Sequence, residues 1–240
     1  MSNALIVKAA ALISAGDIEG AEYALVSLVE TEGDHALVAV LDDLPPKDLL
    51  AIIREYDSSH ESVVNLLVTP EQFARAVVME KQYGDKSHRH LRGMINAVLF
   101  REDADTGAFI EAIAEIDGGT ETLIDYLSER EEEVVHFAAY GTFNPHHTED
   151  GDEVDRAEAS DHDWKEMTWL LRNDHSRLFE NILPVLKSRH QARLRMEAEQ
   201  EAEELRRLEQ QEAADDEPEP APTQAPSIKP AGPAIEDSAL

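Results

Sequence analysis

The stretch Asp43-Leu-Pro-Pro-Lys-Asp-Leu-Leu-Ala-Ile-Ile-Arg-Glu-Tyr56 decides the fold. Two prolines open it, and the first turn of a helix tolerates proline because the N–H it lacks has no partner there. Leu49, Ile52, Ile53 and Tyr56 then recur at i, i+3, i+4 and i+7, which sets them on one face of a helix. Working outward, Ile18, Ala21, Leu25, Leu28 and Val29 form an earlier stripe of the same period. Val63, Leu66 and Leu67 form a later one, and Phe109, Ile113 and Ile116 another. Sustained alternation, the mark of a half-buried strand, is absent. The fold class read from this is all-α.

The punctuation between stripes agrees. Thr69-Pro-Glu-Gln72 supplies a capping hydroxyl, a proline at the first helical position and a glutamine three residues after the cap, which is a capping box. Ser58 and Glu61 read as a second box, and Thr120 after Gly118-Gly119 as a further cap. Boundaries recur so closely that each helix is too short to be stable alone in water. The helices must therefore stack, as a helical-repeat-like array or an irregular bundle.

The second half changes character. Residues 144–163 hold eight acids against one arginine and almost nothing to bury, so a solvated acidic loop is expected. Trp164, Met167, Leu171, Leu178, Ile182 and Val185 restore a helical stripe, with Pro184 expected to kink or break it. A charged helix follows, with Arg193–Glu197, Arg195–Glu199 and Glu203–Arg207 at i, i+4. Leu194, Ala198, Glu201, Leu205 and Leu208 trace a heptad seam interrupted by the glutamate, so a solitary solvated helix is preferred to a coiled coil. The division read from this is a helical domain over 1–143, the loop, a helix over 164–186 packing on that domain, an exposed charged helix over 187–214, and a disordered Pro/Ala/Glu-rich tail over 215–240.

Composition excludes several function classes. The 240 residues carry 21 Lys+Arg against 51 Asp+Glu, a formal net charge of −30, which disfavours a nucleic-acid partner held by a broad basic face. There is no cysteine, so disulfide scaffolds, Cys-ligated zinc, iron–sulfur clusters and thiol catalysis are ruled out. The apolar run from Ala4 to Ile13 is interrupted by Lys8 and lacks a basic stretch ahead of it, unlike a secretory signal. No apolar run reaches the ~18 residues a membrane-spanning helix needs. A cytoplasmic protein that uses no membrane and no cofactor is expected.

Two short segments resemble known helical families. Ala9 to Leu25, with small residues, a Gly16-Asp17 turn and Ala21 in the second helix, resembles a tetratricopeptide-type helix–turn–helix. No second copy follows about 34 residues later, so the segment reads as a generic αα-hairpin. Leu44 to Leu50 resembles the short helices of magnesium-transporter and flagellar-motor helical repeats. Neither resemblance extends to the rest of the chain.

Three constellations bear on chemistry. Asp150, Asp152 and Asp155 resemble a calcium loop, but Val154 holds a ligand position and the turn glycine is displaced, so an acidic linker is the reading taken. His146-His147 and His162-Asp163 are metal-ligand candidates, with His88, His90 or His136 as further imidazoles. His162-Asp163 followed by Asp174 resembles the HD-type phosphohydrolases, a family that holds divalent metals on imidazoles and carboxylates, though the spacing is compressed. The resemblance implies an all-α metal-dependent phosphohydrolase, carried here as an alternative. Lys86, Arg89 and Arg92 form the one basic island and are the candidate binding residues. The competing reading of that island is the polar first turn of a helix whose apolar face is Leu91, Met94, Ile95 and Val98.

No phosphate-binding loop, dinucleotide turn or nucleophile elbow is present. The expectation is a non-enzymatic helical scaffold or adaptor acting on protein partners, basic ones among them, as bacteriophage and other macromolecular assembly factors do. A second alternative is an acidic decoy that occupies a nucleic-acid-binding protein's basic surface.

Overall fold

The computed structural model describes residues 2–56, 62–83, 88–145 and 154–215, and among them there are helices and no strand. The chain is all-α. In order the helices are α1 (Ser2–Ser14), α2 (Ile18–Glu32), α3 (Asp34–Asp43), α4 (Pro46–Glu55), α5 (Val63–Leu67), α6 (Pro70–Tyr83) and α7 (Arg89–Leu99). They continue as α8 (Thr106–Glu115), α9 (Gly119–Leu127), a 3-10 turn at Ser128–Arg130, α10 (Glu131–Tyr140), α11 (Arg156–Ala159), α12 (Trp164–Asn173) and α13 (Ser176–Asp215). Packing divides the chain into two units, Met1–Arg193 and Leu194–Leu240. The second is described as far as residue 215 and is helical throughout that part. The tail expected over 215–240 and the Ser58…Glu61 box lie almost wholly outside the described residues.

The first unit is organised around α6. Gln72, Phe73, Ala74, Ala76, Val77 and Glu80 are all buried, so this helix is covered on most of its circumference. It packs on α4, α7, α8 and α9. The Phe73 ring meets Phe109 of α8 edge to face at 5.8 Å between centroids, with the Arg101 guanidinium 5.1 Å from the Phe109 centroid. Leu49, Ile52 and Ile53 of α4 and Leu91, Met94, Ile95 and Val98 of α7 bury the faces their periodicity assigns them.

Caps end the short helices. Around Thr69 the box closes in both directions: the Thr69 N–H donates to Gln72 Oε1 at 3.0 Å, and the Gln72 N–H donates to Thr69 Oγ1 at 3.4 Å. Gln72 Nε2 then donates to the Val38 carbonyl at 3.1 Å and to Asp42 Oδ1 at 2.8 Å, tying α6 to α3. Asp17, Asp105, Asp155 and Asp163 each accept a backbone N–H at the start of a helix. Arg101 donates to the Asn65 carbonyl and, at 3.2 Å, to the Val68 carbonyl, closing the C-terminal end of α5.

Four local expectations are corrected. Thr120 is not a cap: Gly118, at φ 84°, takes the cap position and α9 already starts at Gly119. There a Cβ would overlap the Ile113 carbonyl oxygen, so only glycine lets α9 start this close to α8. On α5 the buried residues are Val64 and Asn65, followed by the buried C-cap Val68, while Leu66 is exposed, because the short helix turns its apolar side away from the expected stripe to meet its neighbours. On α13 the buried face is Phe179, Ile182 and Leu186, with Val185 exposed. Pro184 does not break the helix, which runs through it while Ile182 and Leu186 hold the backbone to the core on either side.

The acidic stretch carries more structure than its composition suggests. Residues 146–153 lie outside the described residues, Asp150 and Asp152 of the calcium-like loop among them. Beyond them α11 buries Ala159 completely, and Trp169 Nε1 donates to the Val154 carbonyl at 3.2 Å. With Arg156 6.0 Å from the Trp169 centroid, these contacts lay the acidic segment against α12.

Candidate functional site

The α1–α2–α3 corner follows from small residues. Ala9 on α1 and Ala21 and Ala24 on α2 are buried and let the helices approach closely. Toward solvent, Ala4, Ala36 and Ala39 are too small to fill the space between α1 and α3. A groove of about 590 Å³ results, walled by Ala4, Leu5, Leu28, Ala36 and Ala39 and floored by Val40. Leu5 and Leu28 are half-buried, whereas Val40 is almost inaccessible. Lys8, Glu32 and His35 are exposed and stand around the rim. The volume lies within the ~300–1,000 Å³ typical of binding clefts, and apolar walls with a few polar rim groups are what such clefts share.

Two other clefts have different chemistry. Ile18, Lys47, Leu50, Ala51, Arg54, Glu55 and His90 line one of about 600 Å³ between α2, α4 and α7. Its rim charges are of both signs, and Arg54 also faces the buried Glu80, with Nε 3.7 Å from Oε1. The third, of about 400 Å³, is polar and lies where α8 meets the turn between α12 and α13. Glu111, Glu115, Asp174, His175, Ser176 and Arg177 line it, with His175 Nδ1 3.9 Å from Glu111 Oε1.

Among the described residues, those singled out from the sequence do not gather into one cluster. His146 and His147 lie outside the described residues, as does Lys86. Asp163 is the N-cap of α12, its Oδ1 accepting the Lys165 N–H at 2.8 Å. Burial pushes its carboxyl above the usual range, opposed by that hydrogen bond and the Lys165 charge. His162 takes a left-handed backbone at φ 53°, donates its N–H to Glu166 Oε2 at 3.3 Å and sets its ring 6.3 Å from that of Phe100. Asp174 caps the C-terminal end of α12. His136 Nδ1 lies 2.8 Å from the Thr142 carbonyl oxygen, and His88 is the left-handed residue that opens α7. Among the described residues no group of three or more His, Asp or Glu side chains is arranged to hold a metal ion.

The basic island is only partly available. Arg89 is exposed at the start of α7, but Arg92 Nη2 lies 2.8 Å from Glu129 Oε1 in an ion pair. Two carboxylates that are buried, unlike the exposed Glu129, also face arginines. Asp125 pairs with Arg189 at 3.0 Å and Glu131 with Arg193 at 3.1 Å, one turn apart on α13. Burial pushes the Glu131 carboxyl up, and Arg193, Arg189 and His190 pull it partly back. An aromatic chain joins α10 to α12: Phe137 stacks on Phe143 at 4.1 Å, and Phe143 meets Trp164 edge to face at 5.3 Å. Arg172 lies 4.8 Å from the Phe137 centroid and Arg130 5.3 Å from that of Trp164. These cations and acids join helices to one another.

The groove itself escaped the sequence reading. Leu28 was assigned to a core stripe, and nothing in the alanines of α3 announces that they face an unfilled space. Among the described residues no helix is long and apolar enough to cross a membrane. Comparison with protein-family models, curated proteins and solved structures finds no match to this chain.

Proposed function

We propose that this chain is a non-enzymatic interaction protein, a scaffold or adaptor of a cytoplasmic or bacteriophage-type assembly, that seats a partner helix in the α1–α2–α3 groove. The groove carries the reading: its walls are apolar, its floor is formed by a buried valine, and its volume accepts two or three large side chains. An amphipathic helix presents such side chains at i, i+3 and i+4 to a preformed groove. The partner carries a basic flank, since Glu32 stands exposed on the groove's rim, with Lys8 and His35, on a chain of net charge −30.

The test uses synthetic amphipathic helices with one Leu-rich face and either Lys/Arg or Glu flanks, titrated calorimetrically into the full chain. Ala39→Trp fills the groove from an exposed position and leaves the core untouched. The basic-flanked helices bind, and Ala39→Trp weakens them at least tenfold while circular dichroism stays unchanged. Equal binding by the wild type and Ala39→Trp, or no binding by any helix, would overturn the proposal.

A further inference from the structure

The two ends of the α1–α2–α3 groove are unlike. Backbone bonds from Ala15, Gly16 and Asp17 back to Ala11, Ile13 and Leu12 close a tight turn between α1 and α2, which pack on each other. Helices joined by so short a turn run antiparallel. The last turn of α2 therefore lies beside the first turn of α1, so Glu32, which ends α2, stands at the Ala4 end of the groove. Only Gly33 separates Glu32 from Asp34, where α3 begins, and His35 shares that end of the rim. Lys8 lies further along α1, opposite the middle of α2. Measured along the hairpin, Glu32 and Lys8 are about eight residues, or ~12 Å, apart, a little over two helical turns. Both side chains are exposed. Among the described residues neither is held in an ion pair, unlike Arg92, Arg189 and Arg193. An acid at one end, a base at the other and apolar walls between them form a charge pattern with a direction.

We propose that Glu32 and Lys8 set the direction of the partner helix, which lies antiparallel to α1 with a basic C-terminal flank at Glu32 and an acidic N-terminal flank at Lys8. This rests on the groove being the partner's seat, as proposed above.

Two effects select that direction. In this orientation opposite charges meet at both ends, whereas the same helix turned round sets its acids against Glu32 and its bases against Lys8. The macrodipole of the partner favours the same charge order, since acids stabilise the first turn of a helix and bases the last. Between the flanks, side chains at i, i+3 and i+4 reach Leu5, Leu28 and the alanines of the walls in either orientation. The walls thus supply contact area, and the two rim charges discriminate.

The test uses two synthetic helices of one composition and one Leu-rich face, the first with Glu at its N-terminal and Lys at its C-terminal flank, the second with these exchanged. Their net charges are equal, so the overall charge of the chain does not separate them. Calorimetric titrations use the full chain and its Lys8→Glu/Glu32→Lys variant, which keeps the net charge at −30. At low salt the exchange weakens the first helix relative to the second by at least about fivefold, as two exposed charge pairs allow. The natural absence of cysteine lets direction be read separately, from spin labels on Thr31→Cys or Ser14→Cys, both exposed and at opposite ends of the hairpin. The label at Thr31 broadens resonances of the first helix's C-terminal flank, and the label at Ser14 those of its N-terminal flank. The opposite pattern would overturn the direction. Binding that Ala39→Trp blocks but the charge exchange leaves unchanged would overturn the role of Lys8 and Glu32 and leave the groove standing. Binding that Ala39→Trp leaves unchanged, or none by either helix, would overturn the groove and the direction together.

Discussion

At the scale of the residue, the structure turns acids into fasteners, and this has a measurable pH signature. Glu131 is 4 % exposed and bound to Arg193, yet burial outweighs that partner and leaves its carboxyl harder to ionise than in the unfolded chain. The folded state therefore holds the proton more tightly, so this group's contribution to stability falls as pH rises from the ordinary glutamate value through the raised one. The stability of the wild type minus that of Glu131→Gln should decline across this window, measured by urea melts from about pH 4 to pH 7. A difference that rises with pH would show that the Arg193 pair outweighs burial. Some of this scale is legible in sequence. The Thr69–Gln72 box needs only two side chains and their spacing, and both its hydrogen bonds form. The bonds from Gln72 to Val38 and Asp42 were not legible, because their partners lie 34 and 30 residues away. Thr120 lost its capping role to a glycine's positive φ, which spacing alone does not reveal.

At the scale of the element, periodicity located the helices well and their faces less well. The stripe Leu49, Ile52, Ile53 is buried as read, and Asp48 and Leu50 outside it are buried as well, since α4 packs on α2, α6 and α7. On α5 the buried pair is Val64 and Asn65 rather than Leu66 and Leu67, because a helix of five residues has too little periodicity to fix its own rotation. On α13 three apolar residues stand together, Leu183 to Leu186 without the proline, and packing against the first unit's core selected Leu186 over Val185. Pro184 is the clearest conflict between local and tertiary preference. It is exposed within a continuous helix and cannot donate to the Glu180 carbonyl. Its replacement by alanine should restore that hydrogen bond without disturbing a buried contact. Pro184→Ala is accordingly expected to stabilise the chain by about 1–3 kcal/mol, below or at the full cost of an interior proline. A chemical melt reads the gain directly, and an unchanged or lowered midpoint would mean that the proline bends α13 into a geometry the core requires.

At the scale of the whole molecule, the question is what a net charge of −30 is for. An acidic decoy keeps its carboxylates free and grouped, so that they stand in for phosphates. Here Asp17, Asp105, Asp155 and Asp163 cap helices, while Asp125, Glu129 and Glu131 hold arginines of other segments. Composition counts all of these alike and could not point to the groove. The groove arises from three helices meeting at alanines, a property of packing between elements that no single stripe records. A partner held chiefly by Leu5, Leu28 and the alanines of the walls is bound by apolar contact, which added salt leaves largely intact. A partner held by many charge contacts is weakened by orders of magnitude between about 50 and about 200 mM salt. The basic-flanked helix that binds the wild type should therefore lose less than about tenfold in affinity over that range, since rim charges are screened beyond roughly 8–10 Å while the walls still bury its leucines. A loss of about a hundredfold or more would move the binding energy from the groove to the acids and make electrostatic capture the protein's mode of action.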